Sequence, residues 1–215
     1  MRVERRMKAR VVTIQRDESV DRAQTLMAVH AIRHLPVLEG QRLVGIVSDR
    51  DVLGVMVQQR SDACGSRAGK AYFLPPGVRV DEVMSADPVV VARGTDIEEA
   101  ARLLITLKIG CLPVVDRGRV VGIITETDIL GVFTELMGLL ESSTRIDIAL
   151  GRDPLALERT SSIIRRHRGK IISVGISPSH GKTPRVHHFR LKSCDTAPIS
   201  SSLRRAGFRV LEPLR

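Results

Sequence analysis

Aromatic residues are scarce in this 215-residue chain: no tryptophan, one tyrosine (Tyr72) and four phenylalanines. No stretch approaches the ~18 consecutive apolar residues that a membrane-spanning helix needs. The N-terminal MRVERRMKAR is charged and lacks the apolar centre of a secretory signal, so a soluble, cytoplasmic protein is expected. The three cysteines, Cys64, Cys111 and Cys194, lie far apart with no CxxC or Cys/His cluster. A disulfide framework and a zinc site are thereby excluded, and no metal is expected. No nucleophile–base pair, carboxylate dyad or phosphate-binding P-loop stands out, so the chain does not read as an enzyme. What is present is ordinary for a globular protein, 43% hydrophobic and 27% charged residues, in a length that suits one large domain or two small ones.

The formal net charge of +10 is unevenly placed. Residues 144–215 hold 15 Lys/Arg against 5 Asp/Glu, and the first 143 residues are balanced. This asymmetry predicts a domain boundary near residue 143.

Sliding the chain along itself by 77 residues aligns 7–56 with 84–133 without a gap, with 18 identities in 50 positions. Leu35-Pro36-Val37 matches Leu112-Pro113-Val114, and RLVGIVSDRDVLGV (42–55) matches RVVGIITETDILGV (119–132). Two copies at so long a period indicate a duplicated unit, not a solenoid. Each copy reads as βαββα. An apolar run (Val11 to Ile14; Val89 to Val91) precedes an amphipathic helix. Its stripe is Val20, Ala23, Leu26, Met27 and His30 in the first copy. In the second it is Ile97, Ala100, Ala101, Leu104 and Leu107, with Thr95 and Glu98 as a capping box. A strand at 35–38, a turn at 39–41 and a strand at 43–47 follow as a hairpin, and a helix begins near Asp51. Some 50 residues bury too little surface alone, so the copies are expected to pair. Residues 61–80, rich in Gly and Ser and ending near Pro75-Pro76-Gly77, read as a linker. Tyr72 and Phe73 in it are expected to cover apolar core.

The sharpest motif is glycine, two apolar residues, a hydroxyl and, three residues on, a carboxylate: Gly45…Ser48…Asp51 and Gly122…Thr125…Asp128. A carboxylate can accept two hydrogen bonds from the vicinal hydroxyls of a ribose. A helix N-terminus beside it favours phosphate, and the glycine permits close backbone approach. The same Ser/Thr-x-x-Asp spacing is also an ordinary helix capping box. The spacing leaves both readings open.

Two copies of this motif, each after an apolar helix, a Leu-Pro-Val element and a hairpin, resemble a tandem pair of cystathionine-β-synthase (CBS) domains, the Bateman module. The resemblance covers roughly residues 1–140, as CBS domain 1 (1–60) and CBS domain 2 (81–141). It implies clefts that bind an adenosine nucleotide (AMP, ADP or ATP) or S-adenosylmethionine as a regulatory ligand, with no cofactor required. It makes Ser48 with Asp51 and Thr125 with Asp128 the ribose contacts. Thr13, Ile14, Val90 and Val91 would give backbone contacts to the base. Arg33, His34 and Pro36, and Cys111 and Pro113, would lie at the cleft mouths. The copies differ where phosphate would bind: Arg33, His34 and Arg50 in the first stand where the second has Gly110, Cys111 and Thr127. Two unequal sites follow, the basic one suited to a charged nucleotide. Cys111 is read as a small buried residue. The helix at 128–140 is apolar on more than one stripe, so it is buried on two sides, either under the C-terminal segment or in a subunit interface; the resemblance to CBS pairs implies a homodimer through these helices.

Residues 144–215 read as β-α-β-β-α-β, a ferredoxin-like pattern that makes the whole chain α+β. The strands are placed at 145–150, 170–177, 185–192 and 208–211. A helix runs from Pro154, in its first turn, to His167, and a second follows 196–198. Behind a CBS pair this segment resembles an ACT domain, and the order CBS–CBS–ACT is similar to the acetoin-utilisation protein B type. The resemblance places Asp153 and Leu155 at an amino-acid site. The family's Asp-x-Pro-Gly-x-Leu loop here reads Arg152-Asp153-Pro154-Leu155-Ala156-Leu157, without that glycine, so dimerisation or docking of a regulated partner protein is the other role. The alternative function is nucleic-acid association through this basic segment. Its only aromatics, Phe189 and Phe208, make a poor base-stacking platform. His187 and His188 are neighbours on a strand and point to opposite faces, which argues against a metal site with His167 and His180.

Overall fold

Short apolar runs bounded by polar turns become strands, and the longer periodic segments become helices. A computed structural model describes residues 1–59, 71–151, 153–177 and 185–211. It divides into two units, Met1–Ile129 and Leu130–Arg215. The division falls within a helix, ahead of the charge change near residue 143.

The first unit contains β1 (Ile14–Gln15), α1 (Val20–His30), β2 (His34–Glu39), β3 (Arg42–Ser48), α2 (Asp49–Gly54), β4 (Val57–Gln59) and β5 (Ala71–Phe73). β6 (Ser85–Ala86), α3 (Ile97–Leu107), β7 (Cys111–Asp116) and β8 (Arg119–Thr125) follow, and α4 (Glu126–Leu136) starts at its end. β4 pairs with β5. The side chains of Tyr72 and Phe73, and residues 60–70 with Cys64, lie outside the described residues.

The two copies build the same hairpin. β2–β3 and β7–β8 are antiparallel, with a register shift at Val37/Leu38 and at the matching Val114/Val115. Their two-residue turns use backbone with positive φ at Gly40 (62°) and at Arg117 and Gly118 (48° and 78°). Helices α1 and α3 both end on a left-handed residue, Ala31 and Lys108. The helix starts differ. Ser19 caps α1 by accepting from the Arg22 amide at 3.2 Å. The expected Thr95–Glu98 capping box does not form: Thr95 accepts from the Ala92 amide instead, and Asp96 begins α3 without a side-chain bond. Val20, Ala23, Met27, Ile97, Ala100, Ala101 and Leu104 are buried as the stripes predict, whereas His30 and Leu107 at their ends are exposed. The leading apolar runs contribute less strand than expected, a two-residue β1 and a single parallel bridge from Val91 to Val114.

The copies are joined by exchange of their leading segments. β6 of the second copy adds to the first copy's sheet, order β1-β2-β3-β6, by pairing Ser85 with Ile46 and Ala86 with Gly45. The first copy returns the contact: Lys8 pairs with Ile123. Upstream, the Val80 amide donates to Glu18 O at 2.9 Å and the Val3 amide to Thr95 O at 2.8 Å. Each of these pairs is related by the 77-residue shift. The repeat thus extends upstream to Arg2-Val3 and Arg79-Val80, beyond the aligned 7–56 and 84–133. Val3 and Val80 are both 0% exposed. The stretch expected to be linker up to residue 80 therefore ends earlier, with Val78 and Val80 packed in the first copy's core. The motif glycines serve this exchange. A Cβ on Gly45 would lie 2.4 Å from Met84 Sδ, and one on Gly122 would lie 2.4 Å from Met7 Sδ. The glycines make room for a methionine of the opposite copy, not for the ligand approach expected of them.

In the second unit α4 ends at Leu136, four residues short of the expected end, and a turn follows at Gly138 (φ 64°). β9 (Ser143–Ala149), α5 (Ala156–Arg166), β10 (Ile171–Ser177), β11 (Val186–Lys192), α6 (Ala197–Arg205) and β12 (Arg209–Leu211) follow. The strands form one antiparallel sheet, order β10-β11-β9-β12. Ile146, Ile148, Phe189 and Leu191 of the sheet pack with Ala156, Ile164, Ile199 and Leu203 of the helices. Both Phe189 and Phe208 are in this core, so neither offers a ring for base stacking. Pro154 precedes the α5 N-cap, Leu155, instead of lying in the first turn. No helix among the described residues is long and apolar enough to cross a membrane.

Candidate functional site

Each hydroxyl–carboxylate motif closes a helix start. The Ser48 amide and hydroxyl both donate to Asp51 Oδ2 at 2.7 Å, and the Asp51 amide donates to Ser48 Oγ at 3.3 Å. In the second copy the Thr125 amide and hydroxyl donate to Asp128 Oδ2 at 2.9 and 2.6 Å, and the Asp128 amide to Thr125 Oγ1 at 3.3 Å. Both turns are therefore capping boxes. In both, the bonds fall on Oδ2, and no described hydrogen bond involves Oδ1.

Only the first of these turns borders the large cleft of the first unit, a cavity of about 680 Å³. Its wall includes Arg33, His34, Ser48, Arg50, Asp51 and Cys111, six residues singled out by sequence. Thr13, Ile14, Pro36, Val90, Val91, Pro113, Thr125, Thr127 and Asp128 are not part of it. Ile14, Val91, Pro36 and Pro113 are buried instead, in or beside the copies' cores. The strand exchange explains the selection. Beside the first copy's Ser48 and Asp51 lies the second copy's segment 85–89, so Val89 of the second leading run forms the wall there, while Thr13 and Ile14 of the first stand outside this cleft. The end of α3 adds Leu104, Ile105, Lys108 and Ile109. Nothing in those residues' own pattern marks them as lining, because they reach the cleft only through the pairing of the copies.

The cleft is basic on one side and apolar on another. Arg33, Arg50 and Lys108 are exposed cations, and Val89 and Ile105 are exposed apolar side chains. Such a surface can take a ligand with an anionic end and an apolar ring. His34 packs on Gly110 of the other copy: a Cβ there would meet His34 Nε2 at 2.6 Å. Burial lowers the His34 pKa below its ordinary 6.5, with Asp49 opposing and Arg33 reinforcing the shift. Burial pushes the Cys111 thiol up to about 12, so it stays protonated, in keeping with a small packing residue. A histidine whose folded pKa is depressed stabilises the fold above its unfolded value and loses that contribution as pH falls. The ligand-free protein is therefore expected to lose thermal stability as pH drops below about 6.5. His187, lowered by burial, Arg185 and His188, contributes in the same direction. His34→Asn should flatten part of this slope in melting curves taken between pH 7.5 and 5. An unchanged slope would refute the role of His34.

In the second unit Asp153 is engaged locally. Its Oδ1 accepts from the Leu155 amide at 2.9 Å, and its Oδ2 pairs with Arg159 at 3.2 Å. Leu155 itself is exposed. His167 bonds Ser202. His180 lies outside the described residues, as do the rest of 178–184. Among the described residues no three His, Cys, Asp or Glu side chains converge to hold a metal ion.

The profile of the CBS domain matches residues 3–58 and 80–135, just over half of the chain and both copies of the repeat. Inosine-5'-monophosphate dehydrogenase of Korarchaeum cryptofilum is 28% identical over 155 residues, covering 71% of this chain and 29% of the enzyme. The chain spans about a third or less of the dehydrogenases it matches. The crystal structure of an acetoin utilization protein (AcuB) from Vibrio cholerae is 33% identical with a TM-score of 0.51, covering 65% of this chain and 94% of that one. The CBS domain pair of protein MJ0100, in complex with 5'-methylthioadenosine and S-adenosyl-L-methionine, shares the fold. It has a TM-score of 0.51 at 23% identity, covering 63% of this chain and 97% of that one. With its duplicated βαββα copies and both halves matched, the chain belongs to the CBS domain family, carrying two CBS domains in tandem.

Proposed function

We propose that the protein is a non-enzymatic regulator, cytoplasmic, that senses an adenosine nucleotide (AMP, ADP or ATP) or S-adenosylmethionine in the cleft of the first CBS domain. The observation that carries this reading is the meeting of the Ser48–Asp51 turn with three cations, Arg33, Arg50 and Lys108, around one 680 Å³ cavity. Capping and sugar binding are compatible there: Asp51 uses Oδ2 for its own helix and has Oδ1 to accept ribose hydroxyls. The three cations suit phosphate, and Val89 and Ile105 suit a purine face. The second motif, with Thr125, Thr127 and Asp128, would serve a weaker site for a less charged adenosyl ligand, with Thr13 and Ile14 offering backbone.

The second unit is proposed to be an ACT-like domain of ferredoxin-like topology. The strand order β10-β11-β9-β12 and the β-α-β-β-α-β succession support that reading. Because Asp153 is already bonded to Leu155 and Arg159, this domain acts by docking a second copy or a regulated partner, and not by amino-acid capture. Exposed Leu130, Phe133 and Leu136 on α4, with Leu139 and Leu140 beyond it, support a homodimer. A role in acetoin utilisation is supported by the Vibrio relative.

Isothermal titration with AMP, ADP, ATP and S-adenosylmethionine tests the ligand. Saturable binding of at least one is expected, weakened in Arg33→Ala and Arg50→Ala if the ligand carries phosphate. No binding of any of the four would sink the proposal.

A further inference from the structure

Three strands of the second unit bring together a serine, a histidine and an aspartate that the regulatory reading does not use. In the sheet, Ile146 and Ile148 of β9 and Phe189 and Leu191 of β11 point at the helices. Side chains alternate along a strand, so Asp147 and His188 between them occupy the opposite face. They are direct cross-strand partners, and His188 is also opposite Gly175 of β10. Ser177, two residues beyond Gly175, shares that face. The contacts form a chain: Ser177 Oγ to His188 Nε2 at 2.6 Å, and His188 Nδ1 to Asp147 Oδ1 at 2.8 Å. Arg145 fixes the far end by donating to Asp147 Oδ2 at 2.9 Å.

Hydrogen-bond chemistry sets the direction of this chain. A carboxylate only accepts, so Nδ1 carries the proton and donates to Asp147. In the neutral ring Nε2 then holds the lone pair and accepts the Ser177 hydroxyl proton. The hydroxyl is thus aligned with a base whose tautomer a partly buried acid enforces; the Asp147 side chain is 11% exposed and that of His188 28%. Gly175, beside His188, leaves room for the Met137 methyl, which would lie 2.9 Å from a Cβ at that position. The third serine-face position, Ser173, has no such base: its hydroxyl donates to the Met137 carbonyl at 2.8 Å.

We propose that Ser177 is an activated nucleophile, a site of covalent acylation by activated carboxylic esters. Ser177 Oγ attacks the carbonyl carbon and forms the new C–O bond while its proton passes to His188 Nε2. The bond from carbon to the leaving oxygen breaks, and the leaving group departs with the electron pair, taking the proton from His188. Asp147 stabilises the imidazolium formed between these steps.

The test is acetylation of the full chain by p-nitrophenyl acetate, followed by peptide mapping. Ser177 should label well ahead of Ser173, and the preference should vanish in urea. His188→Gln, which keeps a polar side chain but no base, should slow Ser177 labelling by ~10²-fold or more. Asp147→Asn should slow it as well, because a carboxamide can donate to Nδ1 and reverse the tautomer. Equal labelling of Ser177 and Ser173 in the native protein would overturn the proposal. So would wild-type labelling rates in a His188→Gln variant whose melting temperature is unchanged. In either case the chain is a cross-strand tie and nothing more.

Discussion

Asp51→Ala should abolish the thermal stabilisation of the protein by its nucleotide, and Asp128→Ala should leave most of it. Ligand at about 100 times its Kd stabilises a one-site protein by ~2.7 kcal/mol. At 2–4 °C per kcal/mol for a chain of this size, the wild-type melting temperature should rise by roughly 5–10 °C. Each aspartate also completes a capping box of the same geometry. Each alanine variant should therefore lose a similar ~0.5–2 kcal/mol without ligand. The shared capping cost makes the pair its own control, because only the ligand increment can separate them. The separation is expected because the large cleft takes in Ser48 and Asp51 and excludes Thr125 and Asp128. Differential scanning fluorimetry with ATP or S-adenosylmethionine measures it. Equal losses in the two variants would show that cleft asymmetry has no bearing on ligand choice.

Deleting residues 1–8 should destabilise the first unit by on the order of 5 kcal/mol, judged from burial and hydrogen bonds together. Val3 is fully buried, and a buried valine side chain contributes ~1.5–3 kcal/mol. The segment also accepts from the Ile97 amide at Met1 O and makes Val3 N–Thr95 O, Glu4 N–Arg93 O and the reciprocal Lys8–Ile123 pair. Each such bond is worth ~0.5–1.5 kcal/mol net. Met7, seated over Gly122, would leave a void. Val3→Ala and Val80→Ala should each cost about 2 kcal/mol and should resemble one another, because the exchange is reciprocal. Urea unfolding followed by circular dichroism checks all three. A truncated chain with the full-length midpoint would show that the exchanged segments bind without stabilising.

Half of the cleft is legible in the sequence. Ser48, Asp51, Arg33, His34 and Arg50 stand out because motif spacing and the contrast between copies are local properties of the chain. Ile105 and Lys108 do not, because they belong to the other copy and come near only when β6 crosses to pair with β3. Thr13, Ile14, Val90 and Val91, expected as backbone contacts to the base, line no part of this cleft, because which leading run faces which motif depends on the exchange of segments between the copies. Thr95 shows the limit at a helix start. Its spacing to Glu98 fits a capping box, yet its hydroxyl bonds back to Ala92, since a threonine side chain accepts from whichever nearby amide the backbone presents.

The amino-acid sequence alone determined the duplication, the βαββα order of each copy, the place of the two hydroxyl–carboxylate motifs and the charge difference between the copies. All of these are carried by residues within a few positions of each other or by direct comparison of two segments. Tertiary structure decided which leading segment joins which sheet, hence which motif opens onto a cavity, and which residues of β9, β10 and β11 share a face. Those outcomes depend on strand pairing between residues dozens of positions apart. Local pattern does not encode that pairing, and burial of two undersized cores selects it.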